Sequence, residues 1–144
     1  MSYENMNQFF ISRHCKSVLD GKDTERDLDN DGLIQSKSLS NKIFKLVDEN
    51  TIIYCSPFKR AVKSLMPLKE KLPTIKINEV EALKEINIGK SQDLTKHEII
   101  AEMWKNKDFK VKNGESQNEC FENIRPFLDK VFSEFKNEKK NIIL

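Results

Sequence analysis

Short apolar blocks separated by longer amphipathic stretches set the reading of this chain. Phe9-Phe10-Ile11, Thr51-Ile52-Ile53-Tyr54-Cys55 and Asn141-Ile142-Ile143-Leu144 are compact apolar runs. Such runs predict strands buried on both faces, as in a parallel sheet covered by helices. Ile75-Lys76-Ile77 is a weaker candidate for a further strand. Between the runs the apolar positions recur at helical spacing. Leu39, Ile43, Leu46 and Val47 share one face, and Phe58, Ala61, Val62, Leu65, Leu68 and Leu72 share another. Pro67 predicts an end or a kink in that second helix. Ile99, Ile100 and Met103 mark a shorter helix. Phe121, Ile124, Leu128, Val131, Phe132 and Phe135 form the clearest stripe, read as core packing. Ser116-Gln117-Asn118-Glu119 opens it as a capping box, and Pro126 predicts a bend or a restart inside it.

Strands alternating with helices predict an α/β fold: a three-layer α/β/α sandwich with a mainly parallel sheet. The whole of residues 1–144 is read as a single domain, a length that leaves no room for two ordinary ones. Lys and Arg number 25 against 23 Asp and Glu, for a net charge of +2. That balance argues against a dedicated nucleic-acid or anionic-membrane binder. Charged residues make up 33% and apolar ones 38%, the composition of a soluble globular domain. No apolar run reaches the ~20 residues that span a bilayer. The first residues do not form a secretory signal. Cys15, Cys55 and Cys120 are widely spaced and without a CxxC pair, so they read as reduced thiols, and the expected compartment is the cytoplasm.

In a parallel sheet the strand carboxyl ends share one edge, and ligands bind beyond it. The residues that follow the strands are therefore the candidates for chemistry. Arg13-His14 follows the first apolar run, and Ser56-Pro57-Phe58-Lys59-Arg60 follows the second. Ser56 is a natural helix N-cap and Pro57 a natural first helical residue. A helix amino terminus with two guanidinium forks, Arg13 and Arg60, suits one phosphate group. His14 between them is a candidate nucleophile if its second ring nitrogen is held.

These segments resemble the histidine phosphatase superfamily, also called the phosphoglycerate mutase-like family. Phe10-Ile11-Ser12-Arg13-His14 is similar to its Arg-His signature after the first strand, and Cys55-Ser56-Pro57-Phe58-Lys59-Arg60-Ala61 to its Ser-Ser-Pro-x-x-Arg-Ala motif. Leu83-Lys84-Glu85-Ile86-Asn87-Ile88-Gly89 resembles its Leu-x-Glu-x-x-x-Gly segment, and Gly114-Glu115-Ser116 the Gly-Glu-Ser before a late helix. Leu28 to Ser36 resembles its Leu-Thr-x-x-Gly-x-x-Gln-Ala helix start. The matches keep the family's order along nearly the whole chain. The resemblance implies a phosphomonoester hydrolase, or a phosphoryl-transfer enzyme, working through a phosphohistidine on His14. Arg13, Arg60 and Ser17 would bind the phosphate, and Glu85 would protonate the leaving oxygen. It implies no metal or other cofactor, and as partner a phosphorylated small molecule or a phosphoprotein, with no nucleic acid and no membrane.

The family also carries a second catalytic histidine just after a late strand. The sequence ends at Leu144, where that strand would end, so the expectation is a domain whose C-terminal part is missing and whose activity is weak or absent. His97, at the start of a predicted helix, is a poor replacement. Cys15, Lys16, Asp20 and Asp93 also depart from the family pattern. The alternative is an inactive or phospho-ligand-binding relative in which Arg13, His14 and Arg60 hold an anion without turnover. Asp27 to Ile34 copies a calcium loop only in part. Position twelve is Ser38 where a bidentate Glu is needed, so the segment reads as a polar loop entering a helix.

Overall fold

The structure is a computed structural model and describes residues 8–135 and 141–143. Four strands form one all-parallel sheet: β1 (Gln8–Phe10), β2 (Thr51–Cys55), β3 (Ile77–Glu79) and β4 (Asn141–Ile143), in the order β1-β4-β2-β3. The α/β class predicted by the alternation holds. The two most apolar runs lie in the middle of the sheet, where Ile53, Ile142 and Ile143 are buried. The register sets Phe10 and Ile53 on either side of Ile143.

Helices α1 (Asn30–Phe44) and α2 (Lys59–Lys71) pack on each other. Ile43, Ile53, Cys55, Leu65, Leu68 and Ile143 make a common core, with Phe10, Val62, Leu72 and Ile77 against it. Of the stripe expected on α2, Phe58, Leu65 and Leu68 are buried and Ala61, Val62 and Leu72 half-buried, and Arg60 and Ser64, outside that stripe, are buried as well. On α1 the expected face holds only at Ile43: Leu39 is half-buried, Leu46 and Val47 lie beyond the helix end at Phe44, and the other buried positions are Gly32, Ser36 and Ser40, whereas Leu33 and Ile34 are exposed. Small residues every fourth position let a helix face approach its neighbour closely. At Gly32 the approach is extreme: an added Cβ would lie 1.9 Å from the Lys16 carbonyl oxygen.

Among the described residues the chain forms two compact units. The first runs through Lys84 and resumes at Glu134; the second is Glu85–Ser133. The second contains α3 (Lys96–Lys105) and most of α4 (Gln117–Phe135). Thr95 and Glu98 cap α3 reciprocally. Ser116 and Glu119 do the same for α4, with Glu119 N–H to Ser116 Oγ at 3.1 Å and Ser116 N–H to Glu119 Oε2 at 3.0 Å.

Several local expectations need correction. The third strand lies two residues beyond Ile75, because Ile75 closes a turn out of α2 and its carbonyl accepts from Lys69 Nζ. Neither Pro67 nor Pro126 ends or restarts its helix; each lies inside a continuous one. A proline removes one backbone donor, and flanking hydrogen bonds together with a packed apolar face carry the helix through. Phe121 and Phe132 are exposed, not core. At about 100° per residue they fall on one edge of the stripe, away from Ile124, Val131 and Phe135. Arg125 covers the Phe121 ring at 5.7 Å.

Gly32→Ala is expected to destabilise the protein by about 1–3 kcal/mol, since backbone and not a flexible side chain stands in the way. Urea unfolding measures this, and an unchanged midpoint would contradict the close contact.

Candidate active site

The loops after β1 and β2 leave the same edge of the sheet, with β4 between the strands. They meet across it. His14 is half-buried, and its Nδ1 lies 2.7 Å from the Cys15 carbonyl oxygen. Arg60 Nε donates to His14 Nε2 at 3.1 Å. A carbonyl can only accept and a guanidinium can only donate. These contacts therefore require the neutral tautomer with its proton on Nδ1 and its lone pair on Nε2.

Arg60 is the largest fully buried side chain described, at 1% exposure. A buried guanidinium costs several kcal/mol of desolvation unless its protons find acceptors. Nη1 donates to the Asp23 carbonyl at 2.6 Å, and the Asp23 carboxylate lies 3.4 Å from Nη1 and 3.5 Å from Nη2. Its face stacks on Phe58, 4.7 Å from the ring centroid. Phe58, not Ser56, is the N-cap of α2, so the helix begins two residues later than expected. Ser56 Oγ accepts from the Phe58 N–H at 3.4 Å, and the Phe58 carbonyl takes the first helical hydrogen bonds from Ala61 and Val62.

Ser64, absent from the expected set, ties the two loops together. It lies one helical turn after Arg60 and is 2% exposed. Its Oγ accepts from the Cys15 N–H at 2.8 Å and donates to the Arg60 carbonyl at 2.7 Å. The sequence signal for it was the i, i+4 spacing from Arg60 on the face toward the sheet.

The loop beyond His14 is held by the start of α1. Gln35 Oε1 accepts from the Lys16 N–H at 2.9 Å, and the Lys16 carbonyl accepts from the Asp29 N–H at 3.2 Å. Asp29 caps the helix by accepting from the Gly32 N–H at 2.8 Å. Ser17, half-buried, pairs with Leu28 through the backbone, so its placement serves the loop. Asp27 anchors the other end of that loop to α2 through Lys59 at 2.8 Å and Lys63 at 2.7 Å. The Lys59 and Lys63 ammonium groups hold its carboxyl well below the usual carboxylate range. α1 starts at Asn30, inside the stretch that copies a calcium loop, and Asp29 and Asp31 face Lys16. Among the described residues no group of His, Cys, Asp and Glu is arranged to hold a metal ion.

Arg13 is exposed, and its guanidinium makes no hydrogen bond or ion pair among the described residues. The structure thus brings His14 and Arg60 into contact, with Arg13 next to His14 in sequence. Glu85 opens the second unit and is exposed. Its segment is clamped within that unit. The Asn87 carbonyl accepts from the Glu115 N–H at 2.6 Å, Glu115 Oε2 accepts from the Asn87 N–H at 2.9 Å, and Asn87 Nδ2 donates to the Asn113 carbonyl at 2.8 Å. Gly89 takes φ +70°, and an added Cβ would lie 2.9 Å from Gly114, so both glycines are needed for this approach. Glu115 thus acts as a clamp on the segment around Asn87. His97 is exposed on the first turn of α3. Burial, and then the charge of Glu79, push the Cys55 thiol up to about 11. Burial and Glu115 raise that of Cys120. Neither is a thiolate near neutral pH.

The family model of the histidine phosphatase superfamily (branch 1) matches residues 9–144. The chain belongs to that superfamily. Its fold is shared with a mycobacterial glucosyl-3-phosphoglycerate phosphatase solved with inorganic phosphate, at TM-score 0.69 and 16% identity over 94% of this chain and 70% of that one. A putative alpha-ribazole-5'-P phosphatase from Escherichia coli gives TM-score 0.71 at 16% identity, over 96% and 73%. YhfR of Bacillus stearothermophilus gives 0.70 at 18%, over 96% and 73%. These likenesses show the fold, the three-layer α/β/α class with a parallel sheet. No curated protein gives a significant sequence match. No described helix is long and apolar enough to cross a membrane.

Ser64→Ala is expected to leave the Cys15 N–H buried without a partner and to cost about 1–3 kcal/mol. Chemical denaturation checks the loss. An unchanged stability would mean that Ser64 does not join the two loops.

Proposed function

We propose that residues 1–144 form one domain that acts on phosphate monoesters through His14. The observation that carries the reading is the Nδ1-protonated His14 with its Nε2 lone pair against the buried Arg60. Nε2 attacks phosphorus as the ester P–O bond breaks, which gives a phosphohistidine and the free alcohol. Arg60 and Arg13 neutralise the charge spread over the phosphoryl oxygens, with Ser17 as a further phosphate contact. Glu85, carried over from the resemblance of Leu83 to Gly89, gives its proton to the leaving oxygen. It then takes one from the water that cleaves the N–P bond, releasing phosphate. The reaction as written uses no cofactor or metal.

The substrate class is a phosphorylated small molecule, to which the substrates named for the glucosyl-3-phosphoglycerate and alpha-ribazole phosphatases also belong. A phosphoprotein is the less favoured substrate, and a cytoplasmic location fits the reduced cysteines. A second reading, an anion binder without turnover, is favoured by one observation: His97, the other of the two histidines in the sequence, is exposed on the first turn of α3 and follows no strand.

The test is hydrolysis of an aryl phosphate by this chain and by its His14→Ala variant. The expected result is that the turnover of the parent, however weak, falls to background in the variant. Turnover that survives the substitution would contradict the nucleophile. Phosphate binding without turnover in the parent would establish the second reading.

A further inference from the structure

The guanidinium that the proposed function assigns to phosphate is already occupied by an anion from the chain itself. Asp23 opens a short 3-10 turn, Asp23–Glu25, in the loop between His14 and α1. Its carboxylate lies parallel to the Nη1–Nη2 edge of Arg60, at 3.4 and 3.5 Å. Phosphate oxygens bind the same edge of a guanidinium in the same paired fashion. The two contacts are long for charge-assisted hydrogen bonds. The same carboxylate is held more tightly by a second guanidinium: Arg26 Nη2 reaches Asp23 Oδ1 at 2.5 Å. Arg26 is itself mostly buried, with its side chain 14% exposed, and its Nε is buried without a hydrogen-bond partner. Asp23, by contrast, is 56% exposed, so its side chain has room to turn.

We infer that Asp23 is an internal counter-anion, a plug on Arg60, which an incoming phosphate displaces and which Arg26 then retains. This rests on the reading of His14 and Arg60 as a phosphate site and adds how access to that site is controlled. Before substrate binds, the carboxylate offsets the buried charge of Arg60. On binding, the Asp23 side chain swings away, Arg60 exchanges a loosely held carboxylate for a dianion, and the Arg26–Asp23 pair keeps the displaced charge from repelling the phosphate. Arg26 is in this account a positioning residue that acts through Asp23. The plug favours dianionic ligands over monoanionic ones, since a single carboxylate-like charge gains little by replacing another.

The test is a titration with inorganic phosphate, read by NMR on the His14 ring signals, of the parent chain and of Asp23→Asn. Half-saturation in the variant is expected at roughly three- to tenfold lower phosphate, the scale of one partly exposed ion pair. Arg26→Ala, which leaves the carboxylate to Arg60 alone, is expected to need more phosphate than the parent. In Asp23→Asn/Arg26→Ala the Arg26 effect is expected to vanish. Asp23→Ser serves as a second neutral variant should the Asn form not fold. Equal half-saturation in parent and neutral variants, with the His14 signals still moving, overturns the plug and leaves the phosphate site standing. His14 signals that move in no variant overturn both.

Discussion

A fully buried guanidinium governs this site. Arg60 sits at the base of α2, and each described contact it makes fixes something else. The ring of Phe58 lies beneath it, the loop after β1 presents the His14 ring to its Nε, and the turn at Asp23 closes over its Nη atoms. Placing a charge there is unfavourable in isolation, by several kcal/mol. The loops that supply acceptors are therefore selected by folding itself, because a conformation without them strands the charge. The requirement that holds Arg60 in place also orients the imidazole, and so structure and chemistry are set by the same contact.

The supporting parts act on the loops rather than on the reacting groups. Gly32, Gln35 and Asp29 grip the backbone of Lys16, and Ser64 grips that of Cys15, so the chain on the far side of His14 is fixed at consecutive residues. Asp27 fastens the returning end of that loop to α2. In the second unit Gly89, Gly114, Asn87 and Glu115 form an equivalent clamp on the segment that carries Glu85. Motifs that look like separate signatures along the chain are thus pairs of surfaces that grip each other. The helix-start pattern Gly32-x-x-Gln35 is the mould for the loop after His14, and Gly114-Glu115 is the mould for the segment before Gly89.

Much of this was legible in the residues. Continuous apolar runs marked β2 and β4, the two central strands, and the residues after β1 and β2 marked His14 and Arg60. The ends of elements were less legible. Ile75 and Ile77 are equally apolar, and only the turn out of α2 places the strand at the second. Ser56 and Phe58 compete for the cap of α2, and the stacking of Phe58 on Arg60 goes with the later start. What hydrophobic patterning cannot see is a packed face built of small polar residues. Ser36, Ser40 and Ser64 are therefore the positions it passed over, although their spacing of four from Gly32 and from Arg60 carried the signal. Asp23 was equally hidden: a carboxylate beside a phosphate site looks unfavourable until Arg26 is seen to share it.

The chemistry turns on the lone pair of the His14 imidazole sitting on Nε2, with the proton held on Nδ1 by the Cys15 carbonyl. Two-bond proton–nitrogen correlation spectra of the ¹⁵N-labelled chain at mildly alkaline pH report this directly, with or without turnover. A protonated Nδ1 and an unprotonated Nε2 are expected for His14, against a mixture of tautomers for exposed His97. A proton on Nε2 of His14 would contradict it, because that nitrogen could then neither accept from Arg60 nor attack phosphorus.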